Sequence, residues 1–253
     1  MGTLTQSLKH SKPKQYIRGW VEFYKLKFKV TPDVLIPRPE TELLVDEVIR
    51  FADHPLTILD IGTGCGNIAI ALAKNLPAGR HGLNGHPGGV RIIATDISQK
   101  ALKIAKQNAK FHGVSNKIIF IKSDLLSNVH PRGVTVIVAN LPYIPTARIP
   151  YLDPSVKDFE PLVALDGGPD GFDLYRKLFQ QIKHKFIRDT LGVNVIHLPG
   201  GLRLIVCEID YTHGELAALE AQKYFPNAEI EVKTDLAKKQ RILKITLPEF
   251  LPV

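Results

Sequence analysis

The sequence predicts an α/β fold built on one mostly parallel sheet. After residue 55, five short apolar runs alternate with helical stretches, and each run is continuously apolar. Strands buried on both faces have this pattern, which is typical of a parallel sheet covered by helices. Two further runs close the chain with no long connection between them, so we expect an antiparallel last strand. Together the runs predict a sheet of seven strands.

The composition is that of an ordinary globular chain and excludes several classes of protein. Of 253 residues, 44% are hydrophobic and 23% are charged. No window approaches the ~20 apolar residues of a membrane-spanning helix, and the first 16 residues lack the apolar core of a secretory signal. The two cysteines, Cys65 and Cys207, cannot form a disulfide framework, so we expect buried thiols and a cytoplasmic location. The net charge of +8 fits a nucleic-acid or ribosomal partner and, equally, a solvated basic surface.

The N-terminal part is predicted to precede the catalytic domain as a separate unit. Residues 1–40 are expected to form a tail and a β-hairpin, and residues 41–253 the catalytic domain. The hairpin is predicted because aromatic and aliphatic residues alternate with charged ones over residues 19–30. Thr41 is expected to cap a helix over residues 42–51.

The alternating units follow in order along the rest of the chain. The first five strands are predicted to be the run that starts at Leu56, Arg91–Asp96, Lys117–Asp124, Val134–Tyr143 and Leu202–Ile209. Helices are predicted over Asn67–Lys74, Ser98–Phe111 and His213–Tyr224, and the last two strands are AEIEV and RILKITL. Residues 76–90 and 189–201 look inserted and are expected to be surface loops.

A glycine-rich turn ends the first strand, over Gly62-Thr63-Gly64-Cys65-Gly66. Glycines at a strand-to-helix turn let a ligand approach bare backbone, and the helix N-terminus adds free amides. The dinucleotide fingerprint would place its third glycine at Asn67. The observed spacing, with an acid two residues before it, instead resembles motif I of S-adenosylmethionine-dependent methyltransferases. A tight turn without a ligand is the alternative.

Two acids lie at the ends of the second and third predicted strands. Asp96 lies where a carboxylate can accept hydrogen bonds from a ribose diol. It lies 30 residues beyond Gly66, more than the roughly 20 of a dinucleotide fold, and the insertion at residues 76–90 accounts for the excess. Asp124 and Leu125 are expected to flank an adenine ring. Either acid could instead cap a helix.

The fourth strand ends in Asn140-Leu141-Pro142-Tyr143, which resembles motif IV of methyltransferases that alkylate planar nitrogens. Such a nitrogen is a poor nucleophile because its lone pair is delocalised into a carbonyl or a ring. The Asn140 side-chain oxygen and the next backbone carbonyl can accept both of its N–H hydrogens and favour the charge that develops on it. Pro142 stiffens the turn, and Tyr143 packs on the flat group. The alternative is a strand-ending turn without function.

Segments on either side of these motifs indicate which planar nitrogen is methylated. The most specific of them is Pro37-Arg38-Pro39-Glu40-Thr41-Glu42, within residues 12–49. This stretch resembles the corresponding region of the bacterial release factor glutamine methyltransferases. Residues 160–161, 164–168, 170–176 and 233–237 also match, so that the resemblance covers nearly everything from Lys12 onward.

The resemblance implies a Rossmann-like S-adenosylmethionine-dependent methyltransferase fold preceded by a short hairpin. The implied reaction moves a methyl group from S-adenosyl-L-methionine to the side-chain N5 of the glutamine in the Gly-Gly-Gln loop of peptide chain release factors, and leaves S-adenosyl-L-homocysteine. It implies no metal, no membrane and no required nucleic acid, and we expect a monomer.

Carried over by position, the resemblance assigns the site residues. Gly62 to Gly66 meet the methionine and backbone side of the cofactor, Asp96 holds the ribose, and Leu125 lines the adenine pocket. Asn140, Leu141, Pro142 and Tyr143 hold the substrate glutamine. Asn140, Pro142 and Tyr143 are the expected catalytic residues, and Asn140 also borders the cofactor.

Two departures keep alternatives open. The family usually has proline where this chain has Leu141, and Asn-Leu-Pro-Tyr also occurs in ribosomal RNA adenine dimethyltransferases, which lack the proline-rich match. The family's N-terminal helical domain has almost no counterpart here. The alternatives are an adenine N6 methyltransferase acting on ribosomal RNA or DNA, and a non-catalytic basic module that binds RNA or ribosomes. The intact glycine turn and tetrapeptide argue against the non-catalytic module.

Overall fold

The computed structural model of this chain describes residues 12–52, 56–76, 90–130, 132–186 and 201–248. The two predicted insertions and the N-terminal tail lie largely outside these residues. The helices are α1 Lys14–Arg18, α2 Glu42–Phe51, α3 Asn67–Asn75, α4 Gln99–Phe111, α5 Pro154–Lys157, α6 Asp173–Phe186 and α7 Gly214–Tyr224. The strands are β1 Trp20–Phe23, β2 Leu26–Lys29, β3 Thr57–Ile61, β4 Arg91–Asp96, β5 Ile118–Lys122, β6 Val136–Ala139, β7 Leu204–Glu208, β8 Glu229–Thr234 and β9 Gln240–Thr246.

Seven strands form one sheet in the order β5-β4-β3-β6-β7-β9-β8. The first five of these are parallel to their neighbours, and β9 is antiparallel to both β7 and β8. The antiparallel last strand, the Rossmann-like fold class and the preceding β1–β2 hairpin are thereby confirmed.

The sheet separates two apolar layers, because successive side chains of a strand point to opposite faces. In β6, Val136 and Val138 pack with α2, α3 and α4, whereas Ile137 and Ala139 pack with α6 and α7. All four side chains are fully buried. Both faces are therefore covered, as the continuously apolar strands predict.

The hairpin shares the core of the first layer. Phe23 and Phe28 are buried in the same cluster as the helices that cover that face, and their rings meet edge to face with centroids 6.0 Å apart. The domain boundary between residues 40 and 41 stays a prediction. Cys65 and Cys207 are free and buried, as expected.

The structure contains helices that were not predicted from the sequence. Helix α1 lies just before the hairpin, within residues 1–40, and α6 lies between the tetrapeptide and β7. Thr41 does not cap α2 with its side chain, so that prediction was wrong. It ends a short 3-10 helix, Pro39–Thr41, in helical backbone geometry, and its hydroxyl lies in the site described below. Within the described ranges, no helix is long and apolar enough to cross a membrane.

Candidate active site

Four neighbouring strands end side by side at one edge of the sheet. Their paired residues, in the order β4, β3, β6 and β7, are Thr95, Ile61, Ala139 and Cys207. The residues that follow them are Asp96, Gly62, Asn140 and Glu208. Ligands of open α/β sheets bind beyond the carboxyl ends of the strands, so this row marks the candidate site.

The glycine turn presents bare backbone at this edge. Gly62, Gly64 and Gly66 have φ of 72°, 56° and 86°, a region that other residues rarely adopt. Gly66 also packs closely, since a Cβ there would lie 3.1 Å from the Cβ of Ala105 on α4. Gly62 is exposed and Gly64 is half-buried, whereas Thr63 between them is buried. The turn therefore has the shape that a closely approaching ligand requires.

Asp96 ties this turn to α4. Its Oδ2 accepts a hydrogen bond from the Gly64 amide at 2.9 Å, and its Oδ1 accepts one from Ser98 N at 2.8 Å. The helix cap is Ser98, whose Oγ accepts from Ala101 N, so Asp96 is not itself the cap. Burial raises the pKa of Asp96, and the backbone amides oppose that shift. Each carboxylate oxygen keeps a lone pair for a ribose hydroxyl.

An Asp96→Ala variant is expected to bind the methyl donor roughly 10- to 150-fold more weakly, because it loses hydrogen bonds to a charged acceptor worth about 1.5–3 kcal/mol. The variant also loses the hydrogen bond from the Gly64 amide to the Asp96 carboxylate. Calorimetric titration with S-adenosylhomocysteine checks this result, with Asp158→Ala, which removes an exposed carboxylate, as control. Unchanged affinity would show that the ribose lies elsewhere.

Of the two residues after β5 that were predicted to flank an adenine ring, Asp124 lies at the surface and Leu125 lies in the core. The Asp124 carboxylate pairs with Lys177 Nζ at 2.6 Å on the surface. Leu125 has φ of 50° and is buried beside Ile61 and Leu126 in the second layer. The adenine contact predicted for Leu125 stays a prediction.

A buried carboxylate organises the tetrapeptide. Glu208 Oε2 accepts from Asn140 Nδ2 at 3.0 Å, and Glu208 Oε1 accepts from the Tyr143 hydroxyl at 3.0 Å. Thr41 Oγ1 accepts from the same Asn140 nitrogen at 3.1 Å. A carboxylate only accepts, so the Asn140 nitrogen must face Glu208 and the Asn140 Oδ1 must face away. Within the described part of the chain, no donor reaches that oxygen.

Burial raises the pKa of Glu208, while hydrogen bonds from Thr41 and Tyr143 lower it. The Tyr175 hydroxyl links the backbone of β7 to that of the tetrapeptide, since it donates to the Glu208 carbonyl oxygen and accepts from Leu141 N at 3.1 Å. The roles of Glu208 and Tyr175 were not predicted from the sequence. The available signal was a single acid near the end of an otherwise apolar strand.

Leu141 faces the core instead of the edge. Its side chain is 4% exposed and packs in the second layer with Ile61 and Leu125. It also lies against the glycine turn, since a Cβ on Gly62 would be 3.1 Å from Leu141 Cδ2. The Leu141 side chain is therefore part of the core, and the Leu141 backbone carbonyl is the group left to meet a substrate.

Side-chain contacts hold the proline-rich segment, residues 37–42, against the site. Arg38 pairs with buried Glu160, which follows the tetrapeptide in the chain and also accepts from Ile36 N at 3.2 Å. Glu42 Oε1 accepts from the Tyr24 amide at 2.6 Å. These contacts hold Thr41 where its hydroxyl meets Asn140.

The segments that leave this edge form an apolar and acidic rim. Its exposed apolar residues are Tyr151, Leu162, Val163, Tyr211 and Leu236. Residues 144–176, which follow the tetrapeptide, contain six acidic and three basic residues, a net charge of −3 in a chain of net charge +8. The basic residues of the chain are therefore not concentrated at this rim.

Asp60 is a second buried carboxylate, beneath the glycine turn. Its Oδ2 accepts from Thr63 Oγ1 at 2.6 Å and from Ala69 N at 3.2 Å, whereas its Oδ1 has no partner among the described residues. Burial raises the pKa of Asp60 to about 7.

This raised pKa predicts a pH-dependent stability. The folded state holds the proton more tightly than the unfolded state, so the contribution of Asp60 is complete below about pH 4 and is lost as the pH rises through about 7. The free energy of unfolding of an Asp60→Asn variant, relative to that of the wild type, should therefore increase by on the order of 2–4 kcal/mol as the pH rises from 4.5 to 7.5. Urea unfolding at both pH values checks this prediction, with Asp158→Asn as the control. If the free energies of unfolding of Asp60→Asn and the wild type differed by the same amount at both pH values, the prediction would be wrong.

The fold and the site together define a Rossmann-like methyltransferase. A family model described as a methyltransferase domain matches residues 52–147, which span the glycine turn, Asp96 and the tetrapeptide. The chain is 45% identical over 231 residues to a release factor glutamine methyltransferase of Moorella thermoacetica, a match that covers 90% of this chain and 73% of the relative. It is 36% identical over 241 residues to the Bacillus cereus protein of the same name, covering 91% and 75%. The chain therefore belongs to the release factor glutamine methyltransferase family.

Solved structures agree on the fold. The ribosomal protein L11 methylase of Lactobacillus delbrueckii subsp. bulgaricus superposes with a TM-score of 0.55 and 21% identity, over 86% of this chain and 83% of that one. At this identity the likeness shows the fold alone. Among the described residues, no group of three or more potential ligands could hold a metal ion, and the expected independence from metal stays a prediction.

Proposed function

We propose that this chain transfers a methyl group from S-adenosyl-L-methionine to the side-chain N5 of the glutamine in the Gly-Gly-Gln loop of peptide chain release factors. The observation that carries the proposal is the orientation of Asn140, whose nitrogen is held by Glu208 and whose oxygen is left for an incoming N–H donor. The names of the relatives supply the substrate class.

The residues at the edge fit the donor. Gly62 offers exposed backbone, Gly64 beside it is half-buried, and both have positive φ. Asp96 keeps lone pairs for the ribose. When bound, S-adenosylmethionine supplies an activated methyl group on a sulfonium, so no side-chain nucleophile is required. S-adenosylhomocysteine is the expected product.

The tetrapeptide fits a planar amide. Asn140 Oδ1 and the Leu141 carbonyl are the two acceptors proposed to hold both hydrogens of the glutamine nitrogen. Held in this way, the nitrogen points at the methyl group, and the two oxygens favour the positive charge that develops on it. Glu208 keeps Asn140 in the only orientation that offers an oxygen.

The rim favours a protein over a nucleic acid as the methylated substrate. Phosphates bind to basic surfaces, whereas the segment after the tetrapeptide has a net charge of −3 and exposes Tyr151 and Leu162. This argues against the adenine methyltransferase, which shares the same tetrapeptide. We also propose that the protein is cytoplasmic and monomeric.

A comparison of separate substrates tests the proposed substrate class. Purified release factor, deproteinised ribosomal RNA and DNA are incubated separately with enzyme and labelled donor, at salt high enough to suppress nonspecific contacts. We expect label in release factor alone. Label in an adenine amine, with none in release factor, would overturn the proposal.

A further inference from the structure

A basic face lies on the side of the molecule formed by the hairpin and α4. Its members are Arg18, Lys25, Lys27, Lys29, Lys103, Lys106 and Lys110. All seven are exposed, and none forms an ion pair within the part of the chain that the structure describes. Glu22 is the only acid within β1, β2, their turn and α4. The seven cations and Glu22 sum to a net charge of +6. Two acids of α2, Glu42 and Asp46, border the face at the hairpin turn, where they accept from the Tyr24 amide and hydroxyl.

The two halves of this basic face are continuous. Lys29 Nζ donates to Gln107 Oε1 on α4 at 2.9 Å, and the His112 Nε2 lies 2.8 Å from the Lys27 carbonyl oxygen. Lys103 and Lys110 lie one turn before and after Gln107 on the same side of the helix. The hairpin lysines therefore extend the row of lysines along α4.

Aromatic rings accompany these cations. The Phe111 side chain is 72% exposed at the end of α4, next to Lys110. The ring of Trp20 has the Arg18 guanidinium and the Lys27 ammonium each 4.1 Å from its centroid. An exposed ring beside unpaired cations is typical of surfaces that bind single-stranded nucleic acid, where bases stack and phosphates are neutralised.

We propose that this basic face binds single-stranded RNA, separately from the methylated substrate. The chain leaves the active-site edge at Asp96, and α4 runs back about 18 Å from it, so Phe111 lies toward the opposite edge of the sheet. The acidic rim and the basic face thus serve different partners. RNA on the face would hold the enzyme near nucleic acid while the site stays open.

Binding of a fluorescent oligouridylate of about 15 nucleotides tests the proposal by anisotropy. At about 0.1 M salt, the triple variant Lys103→Gln, Lys106→Gln, Lys110→Gln should bind roughly 100-fold more weakly, because three single-strand phosphate contacts each contribute a salt slope of about 0.7. The matched control, Lys74→Gln, Lys122→Gln, Lys183→Gln, changes the net charge equally and should stay within about twofold. Equal loss in both variants, or no wild-type binding at about 100 µM, would overturn the proposal.

A second variant separates RNA from other polyanions. Phe111→Ala should weaken oligouridylate binding roughly 5- to 150-fold, because a stacked base is lost, and should leave heparin binding unchanged. If RNA affinity does not change, or heparin affinity falls equally, the face is a general polyanion surface and the RNA proposal fails. Methyl transfer to release factor should stay near wild type in all these variants, so this outcome is independent of the proposed function.

Discussion

Replacing Asn140 by alanine is expected to lower the rate of methyl transfer on the order of 100-fold or more, with donor affinity largely intact. The Asn140 oxygen accepts from the target amide while positive charge develops there. An interaction that is stronger in the transition state than in the ground state appears in turnover. Steady-state kinetics and calorimetric titration of donor measure the two quantities separately.

A matched control distinguishes this role from a loss of structure. Asn75→Ala removes an asparagine whose amide, among the described residues, donates to the Ala71 carbonyl on α3 and has no other partner, and it should turn over like the wild type. Near-wild-type turnover of the Asn140→Ala variant would refute the assignment of the tetrapeptide.

Replacing Glu208 by glutamine is expected to lower turnover roughly 5- to 150-fold, with donor affinity unchanged. A glutamine has one acceptor oxygen where the carboxylate has two, yet Asn140 Nδ2 and the Tyr143 hydroxyl both donate to Glu208. One buried donor is then unpaired, at a cost of about 1–3 kcal/mol, and rotation of the Asn140 amide relieves it. That rotation turns the Asn140 nitrogen toward the substrate in place of its oxygen.

The pH profile separates this positioning role from a loss of stability. Burial raises the pKa of Glu208, so the wild type should lose turnover as the pH falls toward that pKa, because a protonated carboxyl no longer accepts from both partners. The Glu208→Gln variant should lack this decline. Glu220→Gln, which changes another buried glutamate far along α7, should keep the wild-type profile. Identical profiles for the wild type and Glu208→Gln would contradict the role.

Most of the sheet could be predicted from the sequence because its strands are short apolar runs with both faces buried. The positions of Asp96 and Asn140 followed from one rule, that ligands bind beyond the carboxyl ends of parallel strands. That rule needs only the order of strands and helices along the chain.

The contacts that orient the site could not be predicted in the same way. Asn140 meets Glu208 across 68 residues and Thr41 across 99 residues, and only the pairing of β6 with β7 and the path of the proline-rich segment bring them together. Helix α6 is a different case. Its buried Tyr175, Leu178, Phe179 and Ile182 follow helical spacing, so its sequence did contain the signal.

Locating the transferred methyl group tests the central claim most directly. Purified release factor is methylated with labelled donor and digested, and the modified residue is identified by mass spectrometry, beside a release factor in which the glutamine of Gly-Gly-Gln is replaced. The account predicts one methyl group on that glutamine and none in the replaced protein. Equal incorporation into the replaced protein, or a methyl group at another residue, would contradict it.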